Sequence, residues 1–587
     1  MRINPFPAQI LLTAFASLVT GMMSFPVRAD DVFVLPQHEF FKAQCGDCHT
    51  GKEAEAGFRL SDLNGSMEVP GNYDRWVQVL DRVAAGEMPP ADSSNVSEGD
   101  RQVFVKEISG WLSERREKEF AEYGRVRGRR LSNYQLERSL QDLLGIEVPL
   151  QVHFPEETQS KWFSTVAGAQ AMSHFQLERH LYVVDLALDS AFEKALRDPK
   201  LESRLLDAET LSRSNPKRRC REPELIDNFA VTWCSGLVFY GRIPATTAPE
   251  DGWYRFVVRA KSLKQPENSG VWCTVRTGHH VSGSPIQNWV GAFEATPEVQ
   301  EWTYETWLDK GKMLEIRPGD DTLKRARFDG GQVGTGEGEP QNVPGVAIES
   351  IEMTPIFPLT TRKQTRQLLI DDLSIRWDKE TKSFTLLSDQ PQEDLARLMT
   401  RFAERAFRRP VTDEEVKPFL EMAQASYAED NNLLQAVRIG YRALLCSPRF
   451  LYFNEKPGQL DDYEIATRLS YFLWNSIPDE ALLAQAAAGK LHQPATLKAE
   501  LNRMLDQPRA RDFVRQLANE WLDLKLIDFT EPDSRLYPGF DVVVQQSMVE
   551  ETVAFLQEML HENRSVSEMI DADHTYLNSR LARFYRI

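Results

Sequence analysis

Apolar residues recur at helical spacing along most of the chain, and this pattern predicts a largely helical protein. Ser132 and Gly145 flank one such run, and they predict an N-cap and a C-cap for the helix between them. Similar runs predict helices over about 98–116 and 176–197. After about residue 395 the helical spacing continues to the end of the sequence, which predicts a large, mainly α C-terminal region.

Between residues 225 and 360 the pattern changes to short segments in which apolar and polar residues alternate. Trp253–Arg259 is such a segment, and glycine and proline residues separate it from its neighbours. The alternation predicts a β-sandwich inserted between helical regions. Its tryptophans either fill the core or form a platform for sugar rings, and core filling is favoured. Six of the 12 tryptophans lie here: Trp233, Trp253, Trp272, Trp289, Trp302 and Trp307.

Length and composition limit the class of protein. A chain of 587 residues is too long for one hydrophobic core, so several domains are expected. Its apolar content of 42% and charged content of 27% are ordinary for a globular protein. The net charge of −18 argues against a nucleic-acid or anionic-membrane partner, because phosphate binding requires concentrated positive charge.

The first 29 residues have the pattern of an export signal. Arg2 precedes an almost wholly apolar or small run over 10–23, and Val27–Ala29 places small residues at a cleavage site. The run is short for a membrane span, although an uncleaved anchor is the alternative. No other stretch of the sequence is apolar enough to cross a bilayer. We therefore expect the chain to be exported to the periplasm or another extracytoplasmic compartment.

Cys45 and Cys48 stand three positions apart and His49 follows directly, which is the spacing of covalent c-type haem attachment. Two thiols on one helical turn can form thioethers with the haem, while the adjacent imidazole binds the iron. A redox dithiol is the competing interpretation, but it does not require the histidine. A zinc site would need a second ligand pair, and none stands nearby in the sequence. The motif predicts one covalently attached haem c.

Met88 is the predicted sixth ligand of that iron. It lies in a Gly-Glu-Met-Pro-Pro segment 39 residues after His49, and the prolines stiffen this loop. The alternatives are that Met88 is a buried packing residue, or that His38 binds the iron instead. With both axial positions filled, no site is open for oxygen or peroxide, so the haem would pass electrons. Without Met88, a five-coordinate haem would suit peroxide chemistry.

These motifs resemble the planctomycete-type exported cytochromes, in which one c-type haem module precedes several domains of unknown function. The resemblance begins with the haem motif, Trp76 and the Met-Pro-Pro loop. It continues in five later stretches: Arg129–Tyr134, Asp142–Gly145, Phe402–Pro410, Tyr463–Glu480 and Tyr576–Ala582. The resemblance implies haem binding and electron transfer, and it implies no established substrate.

The predicted fold is multidomain, with an all-α cytochrome c module, an inserted β-sandwich and a large, mainly α C-terminal region. The predicted segments are a signal peptide at 1–29, a cytochrome c-like haem domain at 37–116, a helical domain at 129–200, a carbohydrate-binding-like β-sandwich at 225–360, and helical domains at 395–456 and 457–587. The last domain is predicted to be truncated, since family members usually read Tyr-Gly-Ile where this chain has Tyr585–Ile587 and then continue.

The predicted function is electron transfer by an exported haem protein, with a redox partner protein or a small-molecule electron donor. A haem-dependent oxidoreductase activity of the C-terminal region is an extension of this hypothesis, and no catalytic residue is identified for it. The alternative is a cell-surface protein that binds a polysaccharide through its tryptophan-rich segment and carries the haem module as an accessory.

Four cysteines remain outside the haem motif: Cys220, Cys234, Cys273 and Cys446. In an oxidising compartment four thiols form at most two disulfides, with three possible pairings. Cys446 lies in an apolar helical run, which favours a buried thiol and leaves three candidates for one bridge.

Two further clusters have competing interpretations. His279 and His280 are adjacent, and adjacent strand residues point to opposite faces, so a shared metal ion is disfavoured. Asp462, Glu464 and Arg468 either line a cleft or cap and pair within their helix.

Overall fold

The computed structural model describes residues 38–587 apart from 52–53, 64–71, 91–95, 124–128, 158–172, 198–201, 282–286, 456–457 and positions 216, 381, 454 and 534. The predicted export signal lies outside the described residues. The chain divides into two compact units, Met1–Arg125 and Val126–Ile587, here called the N-terminal unit and the C-terminal unit.

The described part of the N-terminal unit contains three α-helices: α1 (His38–Gln44), α2 (Asn72–Ala84) and α3 (Glu98–Tyr123). Phe41, Trp76 and Phe104, one from each helix, are buried, and both the Trp76 and Phe104 rings lie edge-on to that of Phe41. Helix α3 is seven residues longer than the sequence pattern predicts. Its extension consists mostly of good helix formers, and an ion pair between Lys118 and Glu114 spans one turn at its start (2.7 Å).

The C-terminal unit contains helices on both sides of a β-rich segment. Before it lie α4 (Asn133–Leu144) and α5 (His174–Leu196), and within it lies the short α6 (Ala208–Leu211). After it come α7 (Arg362–Ile370), α8 (Pro391–Phe407), α9 (Asp413–Asp430), α10 (Leu433–Leu445), α11 (Pro448–Leu451), α12 (Asp462–Leu473), α13 (Glu480–Ala487), α14 (Pro494–Leu505), α15 (Ala510–Trp521), α16 (Val542–His561) and α17 (Ser579–Tyr585).

Helix α4 begins and ends where its sequence predicts. The Ser132 hydroxyl accepts a hydrogen bond from the Gln135 amide, and the Gln135 side chain accepts one from the Ser132 amide in return. At the other end Gly145 adopts the left-handed conformation with φ 66°, which is unfavourable for residues that have a side chain. Helix α5 starts two residues earlier than predicted, because Ser173 forms the same reciprocal cap with Gln176.

The stretches 129–200 and 395–456, predicted as two helical domains, contribute to one apolar core. Leu140 and Val184 are fully buried in this core together with Phe402 and Tyr441. The rings of Phe402 and Tyr441 stack with their centroids 3.8 Å apart. Strand β1 (Arg129–Arg130) pairs with β14 (Tyr452–Phe453), which joins the two stretches a second time.

Two antiparallel sheets occupy the β-rich segment. The strands are β2 (Arg204–Asp207), β3 (Glu224–Ile226), β4 (Phe229–Trp233), β5 (Arg242–Ile243), β6 (Gly252–Leu263), β7 (Val271–Gly278), β8 (Asn288–Ala295), β9 (Gln300–Leu308), β10 (Met313–Pro318) and β11 (Gly345–Ile356). One sheet has the order β5-β10-β7-β8, and the other has the order β3-β4-β11-β6-β9 with β2 also on β11. Residues of both sheets, such as Phe256 and Ile316, share one buried apolar cluster.

Two features of the β structure extend beyond the predicted boundaries. Strand β2 begins at Arg204, before the predicted start at 225, and it is recognisable only through its pairing with β11. A separate hairpin, β12 (Ser374–Asp378) and β13 (Ser383–Leu387), lies between the β-rich segment and α8. No helix of the described residues is both long and apolar enough to cross a membrane.

Candidate haem site

Cys45, Cys48 and His49 lie on one tight turn that continues from α1. The Cys45 amide donates to the carbonyl oxygen of Phe41, and the His49 amide donates to that of Cys45, each over 3.0 Å. These i to i+4 bonds extend the helical geometry of α1 through the motif. The structure therefore brings the two thiols and the imidazole together at the end of one helix, as their spacing predicts.

The two thiols differ in their exposure. Cys45 is half-buried and Cys48 is exposed, and both are free thiols. Burial, reinforced by the neighbouring Cys48, raises the pKa of the Cys45 thiol to about 11. Cys45 is therefore protonated at neutral pH, which does not favour the redox-dithiol interpretation, since that chemistry depends on a thiolate.

His49 is held in the orientation of a metal ligand. Its Nδ1 lies 3.1 Å from the carbonyl oxygen of Phe58, and the Leu60 amide donates to the His49 carbonyl oxygen over 3.0 Å. Because a carbonyl only accepts, Nδ1 must carry the proton, and the lone pair of Nε2 is left for a metal ion. The residues present thus fit an iron-bound histidine.

Apolar side chains surround this turn. Leu63, Trp76 and Val83 are buried, and half-buried residues pack against them together with Cys45. The half-buried residues include Phe58, Leu60, Tyr73, Val79 and Leu80. A haem has a flat apolar ring that requires apolar surroundings. Both the donor atoms and the apolar side chains around them therefore fit a haem.

Met88 lies on the loop that follows α2, and hydrogen bonds hold its backbone in place. The amides of Glu87 and Met88 both donate to the Arg82 carbonyl oxygen, over 3.0 and 3.1 Å. Gly86 turns the chain with φ 73°. The Met88 side chain is 37% exposed, so it is not the buried packing residue of the alternative interpretation. Its ligation of the iron stays a prediction. The side chain of His38, the rival ligand, lies outside the described residues.

The other sequence candidates have structural roles. His279 is exposed and His280 is buried, so the pair does not face one ion. The Asp462 carboxylate accepts from the Leu491 amide, Glu464 forms the reciprocal cap of α12 with Asp461, and Arg468 pairs with Glu455. Among the described residues no group of three or more histidine, cysteine or acidic side chains is arranged to hold a metal ion.

The structure contains none of the disulfides that the sequence allows. All four cysteines outside the haem motif are free thiols. Cys234 and Cys273 are buried in the apolar cluster that the two sheets share, and burial raises the pKa of the Cys234 thiol to about 11. Cys446, which is predicted to be a buried thiol, is half-buried, and burial raises the pKa of its thiol to about 12.

The six tryptophans of the β-rich segment are buried or half-buried. Trp233 is 1% exposed, and its indole N–H donates to Glu224. Trp272 is 9% exposed and donates to the Ser579 hydroxyl of α17, which also binds Glu294. Core filling therefore accounts for the most buried of these side chains.

A small cavity in the C-terminal unit is not predicted from the sequence. Arg130, Glu157 and His180 line a space of about 10 Å³ in the C-terminal unit, which is room for about one water molecule. Nε and Nη1 of Arg130, and Nδ1 of His180, are buried without a hydrogen-bond partner among the described residues. The space is too small for a substrate. No motif points to it, because its residues are far apart in the sequence.

Four family models match separate stretches of the chain. The model described as planctomycete cytochrome C matches residues 45–92, which include the haem turn and Met88. Three models described as proteins of unknown function match later stretches: DUF1587 at 129–193, DUF1595 at 394–455 and DUF1592 at 460–587. The chain is a cytochrome c-like protein. Its arrangement is that of a planctomycete-type cytochrome with C-terminal domains of unknown function, as its motifs predict.

Similar solved structures cover only part of the chain. Two mutants of a family 29 carbohydrate binding module each match 28% of this chain, and 93% and 99% of their own, at 10% identity and a TM-score of 0.17. The structure described as BiXyn10A CBM1 in its apo form matches 27% of this chain and all of its own, at 11% identity and a TM-score of 0.16. No curated protein matches the chain.

Proposed function

We propose that the protein carries one haem c, bound covalently through Cys45 and Cys48, and that it transfers electrons outside the cytoplasm. His49 is the proximal ligand of the iron and Met88 is the second axial ligand. The observation that carries the proposal is the hydrogen bond from Nδ1 of His49 to the Phe58 carbonyl oxygen, because it leaves Nε2 for the iron. The match of residues 45–92 to a cytochrome c family supports the same assignment.

The bound haem would supply a one-electron couple, and the protein would set its coordination. With His49 and Met88 both bound, the iron has no open position, which favours electron transfer over oxygen chemistry. Methionine ligation also raises the reduction potential. The partner is a redox protein or a small-molecule electron donor outside the cytoplasm.

Covalent attachment is tested by acid–acetone extraction of the purified protein. The haem should stay on the wild-type chain, whereas the Cys45→Ala/Cys48→Ala double variant should lose it to the solvent. Cys446→Ala is the matched control, because it removes a thiol from the other unit and should retain the haem. Haem that is extracted from the wild-type protein would contradict the proposal.

Ligation by Met88 is tested in the ferric spectrum. Met88→Ala should abolish the near-infrared methionine–iron band and lower the reduction potential. Met422→Ala is the control, since Met422 is exposed to a similar extent (40%) in the C-terminal unit. If the band persists in Met88→Ala, another side chain is the ligand and the electron-transfer argument loses its support.

Two other hypotheses remain as alternatives. A haem-dependent oxidoreductase would show haem reduction that depends on one class of organic substrate, which a compound library can reveal. A carbohydrate-binding cell-surface role would show retention on a glycan array. Trp233 and Trp272 are buried, so neither side chain is exposed for stacking on a sugar ring.

A further inference from the structure

Arg101 links helix α3 to the loop that carries Met88. Its Nη1 donates to the carbonyl oxygen of Val83 in the last turn of α2 (3.0 Å) and to the carbonyl oxygen of Met88 (3.3 Å). Its Nε lies 3.7 Å from Glu98, one turn earlier on α3. The side chain of Arg101 is 17% exposed, and its bond to Val83 is partly shielded from water, whereas its bond to Met88 is exposed. One guanidinium thus joins two helices and the methionine loop.

The backbone of Met88 is held from both sides. Its amide donates to the Arg82 carbonyl oxygen over 3.1 Å, and its own carbonyl accepts from Arg101. The first bond belongs to the turn that ends α2, and the second comes from a different helix. The guanidinium is therefore a second restraint on the peptide units around Met88, in addition to the turn that ends α2.

Gly86 and the carbonyl of Val83 both lie beside this guanidinium. A Cβ at Gly86 would lie 3.4 Å from Nη1 of Arg101, which is ordinary contact. The Val83 carbonyl oxygen accepts from the Gly86 amide over 3.1 Å as well as from Arg101. Arg101 therefore bonds both to the turn that ends α2 and to the loop that follows it.

We propose that Arg101 is a positioning residue that holds the Met88 sulfur at the haem iron, an inference that rests on the proposed function. A methionine ligand binds iron weakly enough that the loop must be restrained to keep it in place. Two charge-assisted hydrogen bonds to backbone carbonyls supply that restraint. Removing them should raise the equilibrium constant for dissociation of Met88 about tenfold, the scale of one charged hydrogen bond.

A purely structural role for Arg101 predicts a different result. In that case loss of the side chain would destabilise the N-terminal unit as a whole, and the iron would keep its methionine until the unit unfolds. Two signals separate the two roles. The ferric methionine–iron band reports the ligand, whereas the helical signal of the N-terminal unit, followed by hydrogen exchange of the backbone amides of α1, α2 and α3, reports the fold of that unit.

The experiment uses the full-length haem-loaded protein in a urea titration that follows both signals. In Arg101→Met, the methionine–iron band should disappear at a lower urea concentration than the helical signal, with dissociation about tenfold easier than in the wild type. Lys106→Met is the matched control, because it removes an exposed positive charge from the same helix and should leave both transitions in place. Arg101→Lys keeps the charge and a donor and should recover part of the loss.

Each outcome decides the inference. If the band and the helical signal of Arg101→Met are lost together, as in Lys106→Met, the positioning role is wrong. If Arg101→Met cannot be obtained with haem, Arg101→Gln carries the test, because it removes the charge, and an unchanged band in that variant overturns the inference. If Met88→Ala keeps the band, the proposed ligand itself is wrong, and the inference falls with it. If Met88→Ala loses the band while the band of Arg101→Met disappears at the same urea concentration as in the wild type, the inference about Arg101 is wrong and the proposed function stands.

Discussion

His180 shows how burial fixes the charge of one side chain. It is 2% exposed on α5, and its Nε2 lies 3.0 Å from the Leu445 carbonyl oxygen, so Nε2 carries the proton. Burial, helped by the nearby Arg130 and Arg442, lowers the pKa of His180 to about 4. The side chain is therefore neutral in the folded protein at every pH above that value.

This shift predicts that acid destabilises the C-terminal unit. Between pH 6.5 and 4 the unfolded chain binds a proton at His180 and the folded chain does not, so stability is lost as the pH falls. The loss at this residue reaches about 3 kcal/mol near pH 4. His280, whose pKa burial also lowers to about 4, contributes with the same sign. In urea unfolding, His180→Gln should lose less stability than the wild type between pH 7 and 4.5.

An exposed apolar residue of the same helix provides the control. Phe175 is 57% exposed on α5, and Phe175→Gln changes no ionisable group, so it should leave the pH dependence as it is in the wild type. Equal pH dependence in His180→Gln and the wild type would mean that His180 takes up its proton normally in the folded state.

At this scale the sequence predicts the residues whose chemistry depends on local spacing. Cys45, Cys48 and His49 are adjacent in the chain, and the structure places them on one turn. Arg101 and His180 are different, because their environments come from residues 18 and 265 positions away. Local sequence patterns do not predict contacts between residues so far apart in the chain.

Helix ends are the element-scale feature that the sequence predicts well. Ser132 and Gly145 bound α4 as expected, since capping depends on the side chains and backbone of a few consecutive residues. The single apolar core of the stretches 129–200 and 395–456 was not predictable, because helical periodicity shows that a face is buried but not against what. Strand β2 was missed for the same reason, since only its pairing with β11 identifies it.

The cap at Gly145 predicts a large effect of one methyl group. A Cβ there would lie 2.9 Å from both Leu368 Cδ1 and Thr365 Oγ1, and the φ of 66° already disfavours a side chain. Gly145→Ala should destabilise the protein by about 2 kcal/mol or more in urea unfolding. Gly489→Ala isolates the backbone effect, because Gly489 has φ 65° and no atom within 4 Å of its Cβ position. It should lose about 1 kcal/mol, and equal losses in the two variants would show that the clash at Gly145 is relieved.

On the scale of the whole C-terminal unit, one buried arginine joins the last helix to the β-rich segment. Arg580 of α17 is 2% exposed, and its Nη2 donates to Asp541 at the start of α16 over 2.6 Å. Its Nε lies 3.4 Å from Asp320, in the turn that follows β10. The Ser579 hydroxyl also binds Trp272 and Glu294 on the same sheet. The matched family stretch 460–587 therefore contacts the β-rich segment through α17.

Removal of this arginine should detach the end of the chain. Arg580→Met leaves the buried Asp541 carboxylate without its counter-charge and leaves Asp320 with Arg583 alone, and breaking a buried ion pair costs about 3–5 kcal/mol. We expect a matching loss in the free energy of unfolding at pH 7, together with faster proteolysis near residue 580. Arg586→Met is the control, since Arg586 is exposed directly after α17 and its loss should cost less than about 1 kcal/mol.

The pH dependence of the variant shows whether charge or packing causes the loss. Burial already raises the pKa of Asp541 above its ordinary value, and removal of Arg580 should raise it further. The carboxyl group of the variant would then take up a proton more readily than that of the wild type, so the stability difference should narrow as the pH falls towards 4. A difference that stays constant from pH 7 to 4 would assign the loss to packing of the arginine stem instead, and Asp541→Asn in the Arg580→Met background would then recover nothing.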